Sequence, residues 1–155
     1  MLVGRRSRGF TLIELVTVIT IMAILAAIAA PSFSAFIANQ RIRNVSFDLM
    51  AAITLARSQA VTRNGNVSLR KVGTDWDGGW KVSNDTLTFQ NQEAYKNLSI
   101  TDSAGLSAIT YGKDGRPVTA STKFTIAPSA AVSGVSSRCI SIGLSGVPSS
   151  NTGAC

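Results

Sequence analysis

The sequence predicts an α+β protein in which a long N-terminal helix packs against a C-terminal antiparallel β-sheet head. Two observations predict this class: residues 10–60 are either continuously apolar or apolar at helical spacing, and short β-branched segments separated by turn residues follow Gly65. The 155 residues are enough for one domain. We divide the chain into a leader at 1–9, an apolar helix at 10–30, an amphipathic helix at 31–64 and a β-rich head at 65–155.

The composition excludes several classes of enzyme. The chain has 15 Lys+Arg, 8 Asp+Glu, a formal net charge of +7 and no histidine. A histidine triad, a histidine-ligated zinc and a histidine general base are therefore excluded, and two cysteines alone cannot form a thiolate metal site. Asp75-x-Asp77-Gly78 begins like a calcium loop, but position 12 of that loop is Thr86 and not glutamate. We expect no enzymatic activity, no cofactor and no metal.

The apolar residues are concentrated in residues 10–30. The polar residues of this segment are Thr11, Glu14, Thr17 and Thr20. As a helix, 21 residues span about 30 Å, the thickness of the hydrocarbon core of a bilayer. The preceding residues contain three arginines and no acidic residue, so they should remain cytoplasmic while the chain after residue 30 faces outward.

Several exported proteins begin in a comparable way. A conventional signal peptide could be cleaved near Ala27-Ile28-Ala29, a plain anchor would need no cleavage, and Arg5-Arg6 is similar to a twin-arginine signal. None of these alternatives explains Glu14. A carboxylate inside an apolar helix costs on the order of 3 kcal/mol and usually indicates a functional pairing.

The sequence Gly9-Phe10-Thr11-Leu12-Ile13-Glu14 resembles the prepilin signal of type IV pilins and type II secretion pseudopilins. The resemblance implies that prepilin peptidase cleaves between Gly9 and Phe10 and methylates the new amino group of Phe10. It also implies a subunit-assembly role for Glu14. In an apolar filament core, this carboxylate would pair with the amino terminus of a neighbouring subunit and select the correct register.

Membership in this family also implies partners and a location. The partners would be prepilin peptidase, other minor pilins and the major pilin. The prepilin would be held in the inner membrane by one span, with its head in the periplasm, before it enters a pilus at the cell surface. Because head-to-tail contacts do not close on themselves, they build open helical filaments.

The sequence predicts a helix break at Pro31, because proline lacks the N–H that continues the helical ladder. Type IV pilins commonly carry a proline at this distance from the cleavage site. After Pro31 the spacing predicts an amphipathic helix that ends at Asn64-Gly65. Its core-facing residues are predicted to be Phe33, Phe36, Ile37, Ile42, Val45, Leu49, Ala52, Ile53, Ala56 and Ala60.

Seven strands are predicted in the head. They cover residues 67–72, 80–82, 86–89, 98–100, 108–111, 123–127 and 139–142. Asp114-Gly115 predicts a tight hairpin, and the small residues of 127–137 predict a loop.

Three further stretches resemble the GspH/FimT group of minor pilins and pseudopilins. These are residues 49–69, the Trp76-Asp77-Gly78-Gly79-Trp80 turn, and residues 139–142 followed by Gly146. Since pilins of this family often bridge their C-terminal segment, the resemblance implies a disulfide between Cys139 and Cys155. A bridge closing a loop of this size contributes about 3 kcal/mol, and the exported compartment permits it.

The group includes proteins of different function. FimT-type minor pilins bind DNA through a C-terminal G-R-x-R loop, FimU-type minor pilins help to initiate and cap pili, and GspH-type pseudopilins serve type II secretion. Here the corresponding turn, Gly146-Val147-Pro148-Ser149, lacks both arginines, and the basic Gly115-Arg116-Pro117 turn belongs to an earlier hairpin.

The basic charge of the chain nevertheless keeps DNA binding open. Without the leader, the chain retains 12 Lys+Arg against 8 Asp+Glu, and a basic surface attracts phosphates. The candidate DNA-binding residues are Lys113, Arg116, Lys123 and Arg138. We predict a minor pilin that takes part in pilus assembly. The alternatives are a minor pilin that binds double-stranded DNA in natural transformation and a type II secretion pseudopilin.

Overall fold

The computed structural model describes residues 9–119 and 121–155, without the side chains of residues 30 and 31. The basic residues predicted to hold the leader in the cytoplasm lie outside the described residues. The chain forms two compact units. The first ends at Ser34, and the second begins at Ala35.

The N-terminal element is one α-helix, α1 (Leu12–Thr62). Thr11 caps its first turn, because the Thr11 hydroxyl oxygen accepts a hydrogen bond from the Glu14 N–H at 3.3 Å. The helix is continuous at Pro31, so the break predicted there is not observed. A proline removes one helical hydrogen bond, and the alanines on its N-terminal side favour the helix strongly.

The predicted end of the helix at Asn64-Gly65 is confirmed. Asn64 adopts a left-handed conformation with φ of 50°, and its N–H donates to the Val61 carbonyl at 3.2 Å. The Gly65 N–H donates to the Ala60 carbonyl at 3.1 Å. These two bonds form a Schellman motif, which satisfies carbonyls that the last turn would otherwise leave without donors.

Within the described residues, eight strands follow the helix. They are β1 (Val67–Lys71), β2 (Trp80–Ser83), β3 (Thr88–Gln92), β4 (Leu98–Asp102), β5 (Ala108–Tyr111), β6 (Thr122–Pro128), β7 (Arg138–Ile142) and β8 (Pro148–Thr152). All seven predicted strands are present, with ends that differ by up to three residues. The eighth, β8, was not predicted because its proline, serines and asparagine have low strand propensity. It lies at a sheet edge beside β7, where backbone pairing is sufficient to hold it.

The strands form two antiparallel sheets, with orders β3-β2-β1-β5 and β4-β6-β7-β8. In the first sheet Leu69 pairs with both Val82 and Ile109, and in the second Phe124 pairs with Ile140. Because side chains alternate along a strand, these apolar residues share the buried faces of the sheets. The predicted α+β class is confirmed.

The buried stripe of α1 packs against the sheets. Its buried apolar members are Ile42, Val45, Leu49, Ala52, Ile53, Ala56 and Ala60. Two residues predicted to face the core are instead exposed, Phe33 at 67% and Phe36 at 62%. The prediction fails at these two positions because both precede Ile42, where burial of the helix begins, and helical spacing alone does not show where burial starts.

The Trp76-Asp77-Gly78-Gly79-Trp80 stretch connects the sheets. Residues Trp76–Gly78 form a short 3-10 helix between β1 and β2, and the Trp76 Nε1–H donates to the Leu106 carbonyl at 3.2 Å. The Trp76 ring meets Phe124 of the second sheet edge to face, with ring centroids 4.9 Å apart. The buried tryptophan thus joins the loop of one sheet to the core face of the other.

Gly79 is required by the backbone of this turn. Its φ of 93° with ψ of −179° is a conformation almost restricted to glycine, and a Cβ at this position would overlap the Gln92 carbonyl oxygen. We expect Gly79→Ala to destabilise the head by about 3 kcal/mol, because backbone strain and steric overlap add. Urea unfolding of fragment 35–155, which contains the whole buried core, measures this loss.

Gly73→Ala is the matched control. Gly73 also has a positive φ, 84°, but an added Cβ would meet nothing within 4 Å. This substitution should cost only about 1 kcal/mol from the backbone conformation. Equal losses for the two variants would contradict the steric argument.

Candidate assembly and DNA-binding surfaces

The predicted cleavage site lies immediately before α1. Gly9, Phe10 and Thr11 are outside the helix, and Phe10 is 77% exposed. The peptide bond between Gly9 and Phe10 is therefore accessible and is not held in helical hydrogen bonding. This geometry is suitable for a peptidase, and cleavage at this bond stays a prediction.

The first unit presents an apolar surface on all sides. Every residue from 9 to 29 is exposed, including the large side chains of Leu12, Ile19, Met22 and Ile28. In the described part of the chain, α1 is the one helix long and apolar enough to cross a membrane, with a mean hydropathy of 2.6 over its most apolar window. Such a surface is unfavourable in water and requires a lipid or protein environment.

Glu14 differs from the other polar residues of this segment. The hydroxyls of Thr17 and Thr20 each donate to the carbonyl oxygen four residues earlier, at 2.8 Å, and Thr11 caps the helix. The Glu14 carboxylate makes no hydrogen bond or ion pair with any residue that the structure describes. Among the polar side chains of residues 10–29, it is the group without a partner in the part of the chain that the structure describes.

Two turns of the head lie against each other, and we call them the paired turns: residues 112–116 after β5 and residues 143–147 between β7 and β8. The Tyr111 hydroxyl donates to the Gly146 carbonyl at 2.9 Å. Gly146 has a φ of 74°, and a Cβ there would lie 2.8 Å from the Gly115 carbonyl oxygen. This same oxygen accepts from Arg57 Nε at 2.9 Å, which fixes the first turn to α1.

Three of the four candidate DNA-binding residues surround the paired turns. Lys113 and Arg116 are exposed in the first turn, where the Asp114 carboxylate accepts from the Arg116 backbone N–H at 3.1 Å. Lys123 is exposed on β6 and lines a polar depression together with Val147 of the second turn. The first turn was predicted to belong to a separate hairpin, whereas the structure brings it beside the C-terminal turn.

The fourth candidate, Arg138, is elsewhere. It begins β7, about 13 Å along the strand from the end that leads into the second turn. Arg138 pairs with Ile126, so it lies on the core-facing side of the sheet, where it is half-buried. Its Nε–H donates to the Ser150 hydroxyl at 3.3 Å. The structure therefore does not group Arg138 with the other three candidates.

Another pair of basic residues was not predicted from the sequence. Arg70 and Lys81 are exposed and directly opposite each other in the pairing of β1 with β2. Like charges in this arrangement repel and destabilise the sheet slightly. Both strands were predicted, but their register was not, and only the register shows that these two charges are neighbours.

Two tyrosines hold loops of the head in place. The Tyr95 hydroxyl donates to the Asp48 carboxylate at 2.9 Å, which links the segment after β3 to α1. Burial raises the pKa of Tyr95, and the hydrogen bond and charge of Asp48 raise it further. Burial also raises the pKa of Tyr111 to about 12, against a lowering effect of the Arg57 charge.

The implied disulfide between Cys139 and Cys155 is present and ties the C-terminus to β7. Its Cα atoms are 5.0 Å apart. Among the residues that the structure describes, no group of three His, Cys, Asp or Glu side chains could hold a metal ion.

A long apolar N-terminal helix followed by a head of antiparallel sheets, with an accessible Gly-Phe bond before the helix, defines a protein of the type IV pilin class. Comparison with family models agrees with this class. The model described as type II transport protein GspH matches residues 47–146, and that of the prokaryotic N-terminal methylation motif matches residues 4–30. The chain belongs to the GspH family of minor pilins and pseudopilins.

Two crystal structures of the type IV minor pilin FimU from Pseudomonas aeruginosa share the fold. One has a TM-score of 0.63 at 19% sequence identity and covers 72% of this chain and 89% of the FimU chain. The other has a TM-score of 0.60 at 20% identity, with coverages of 70% and 91%. None of the curated proteins matches the chain.

The tyrosines predict a loss of stability in alkali. Between pH 10 and about 12 the folded state keeps phenolic protons that the unfolded state has released. The two protonated tyrosines should therefore make their full contribution to the free energy of unfolding below pH 10. This contribution should decline as the pH rises towards 12. Since Tyr95 and Tyr111 are the two tyrosines of the chain, phenolate absorbance of fragment 35–155 reports on them alone. Ionisation of the folded fragment at the ordinary tyrosine pKa near 10 would contradict this.

Proposed function

We propose that the chain is a minor pilin that enters a type IV pilus and takes part in its assembly or initiation. The observation that carries this proposal is the Glu14 carboxylate, which has no partner among the described residues and lies on an exposed apolar helix. A helix of this kind is suited to burial in a bilayer first and in the core of a fibre afterwards.

The chemistry of cleavage supplies the missing partner. Cutting after Gly9 would release the amino group of Phe10, which has a pKa near 8 and is largely cationic at neutral pH. Leaving one charge unpaired in an apolar environment costs several kcal/mol, so a subunit docked with its amine opposite the Glu14 of a neighbour is strongly favoured over a misdocked one. The pair therefore selects the register of assembly.

The proposed processing, location and partners of the chain follow from this pairing. Prepilin peptidase would cleave and methylate the chain in the inner membrane, with the head in the periplasm. Other minor pilins and the major pilin would be its partners in the fibre. Its function would reside in these contacts and not in catalysis.

A type II secretion pseudopilin is the second candidate, because the matching family model is described as a type II transport protein. The cleavage signal, apolar helix and head serve both systems equally. Genes for a secretion ATPase and a secretin beside this gene, without a retraction motor, would favour the pseudopilin.

A DNA-binding minor pilin is the third candidate, and the paired turns favour it. Lys113 and Arg116 belong to the turn that lies against the C-terminal turn, and Lys123 lines a depression beside it, although the C-terminal turn itself carries no arginine. Exposed cations such as these attract the phosphates of double-stranded DNA. A chain of this kind would take up DNA in natural transformation.

Glu14→Ala tests the principal proposal in the full-length protein. We expect cleavage after Gly9 to continue, so that the intact mass corresponds to a chain beginning with N-methylated Phe10. Incorporation into fibres should decrease at least about tenfold, because an amine would be buried without its counter-charge. The ratio of sheared-fibre to cell-associated protein on immunoblots measures the effect.

Thr17→Ala is the control for Glu14→Ala. Thr17 lies in the same helix, but its hydroxyl is satisfied by the Ile13 carbonyl, so fibre incorporation should remain normal. Normal incorporation of Glu14→Ala would overturn the pairing argument. A mature chain that begins at another residue would overturn the cleavage.

The DNA-binding candidate predicts a salt-dependent mobility shift of double-stranded DNA by fragment 35–155. The Lys113→Gln, Arg116→Gln, Lys123→Gln triple variant should bind more weakly, and its salt dependence should decrease by up to about 2.7 log units per log unit of salt. Arg70→Gln with Lys81→Gln is the control, since these cations lie on strands β1 and β2 and not in the paired turns. Failure of the unsubstituted fragment to bind at low salt would eliminate this function.

A further inference from the structure

A cleft of about 300 Å³ opens between α1 and the second sheet, and none of the functions above uses it. We call it the arginine cleft. One wall is formed by Phe36, Asn39 and Arg43 of α1, and the opposite wall by Ser136, Arg138 and Thr152. All these residues belong to the unit 35–155.

The walls of the arginine cleft are held together by Asn39. The Asn39 Nδ2–H donates to the Gly134 carbonyl at 3.0 Å, and its Oδ1 accepts from the Ser136 backbone N–H at 3.3 Å. One side chain of the helix therefore clamps the loop between β6 and β7. The cleft is built in advance of any ligand, which reduces the entropy lost on binding.

Two positive charges of the arginine cleft lack counter-charges. Arg43 is exposed and makes no hydrogen bond or ion pair with a described residue. Arg138 uses its Nε–H on Ser150, which leaves the other four N–H donors of its guanidinium without a described partner. No acidic residue lines the cleft. Two like charges around one cavity repel each other until an anion enters.

We propose that the arginine cleft receives an acidic side chain from a neighbouring pilin subunit. This inference rests on the proposed function as a fibre subunit, and it names the chemistry of a contact that the head makes there. Arginine binds carboxylates through paired, charge-assisted hydrogen bonds, so one Asp or Glu neutralises the repulsion and satisfies the unused donors.

The composition of the cleft favours a protein ligand over nucleic acid. Phe36 on the helical wall is 62% exposed, and an aromatic ring beside the arginines offers apolar contact that a phosphate backbone cannot use. The cavity is at the small end of the range for ligand pockets. Duplex DNA is held by a row of phosphate contacts along a surface, whereas here two arginines line one small cleft.

Arg43→Glu in the full-length protein tests this inference. The reversed charge should repel the incoming carboxylate and reduce fibre incorporation at least about tenfold. Arg41→Glu is the matched control: Arg41 is exposed on the same helix but does not line the cleft, and it faces about 200° away around the helix. Incorporation of the Arg41→Glu variant into fibres should stay within about twofold of that of the unsubstituted protein.

The partner can be identified by placing a photo-crosslinking residue at Gln40, which also lines the cleft. We expect an adduct in fibres with a pilin peptide that contains Asp or Glu. Changing that acidic residue to Arg should restore the incorporation of Arg43→Glu, since the charges would then be exchanged. A nuclease-sensitive adduct, a peptide without an acidic residue, or no restoration would overturn the inference.

The same assay separates this inference from the proposed function. If the unsubstituted chain never enters fibres, the proposed function fails and the inference fails with it. Suppose that the unsubstituted chain enters fibres, that Glu14→Ala does not, and that Arg43→Glu enters them normally. In that case the pilin function stands, and only the proposal for the arginine cleft is overturned. Urea unfolding of fragment 35–155 carrying Arg43→Glu should match that of the unsubstituted fragment, which excludes misfolding as the cause.

Discussion

A carboxylate in an apolar environment needs a counter-charge. The proposed function of this chain as a fibre subunit depends on that constraint at Glu14. Every other polar side chain of residues 10–30 is satisfied within its own helix, and the surrounding surface is apolar and exposed. A lone membrane anchor gains nothing from such a residue. In a fibre subunit such a residue favours one docking position over the others, because only that position brings a cation to Glu14.

The second unit has a buried apolar core that holds its exposed turns and cleft in place. The buried stripe of α1 packs on the sheets, and Trp76 joins the two sheets through its contact with Phe124 and its hydrogen bond to Leu106. The disulfide from Cys139 to Cys155 fixes the C-terminus to β7.

Seven of the basic residues of the unit 35–155 fall into three groups. Lys113, Arg116 and Lys123 surround the paired turns, Arg70 and Lys81 lie on the outer face of the first sheet, and Arg43 and Arg138 share the arginine cleft. This division matters for function, because a net charge spread over several surfaces does not by itself indicate a nucleic-acid interface. Two arginines that line one cleft are suited to a single carboxylate, whereas exposed cations around a turn are suited to a phosphate backbone.

The sequence by itself determined the features that depend on neighbouring residues: the Gly9-Phe10 signal, the apolar helix, its end at Asn64-Gly65 and seven of the eight strands. Local hydrogen bonding and side-chain periodicity are encoded within a few positions. The tertiary structure alone decided the edge strand β8, the point near Ile42 where burial of α1 begins, and the separation of Arg138 from the other three candidates. These depend on strand register and on contacts between residues distant in the chain, such as Tyr111 with Gly146, which no local pattern specifies.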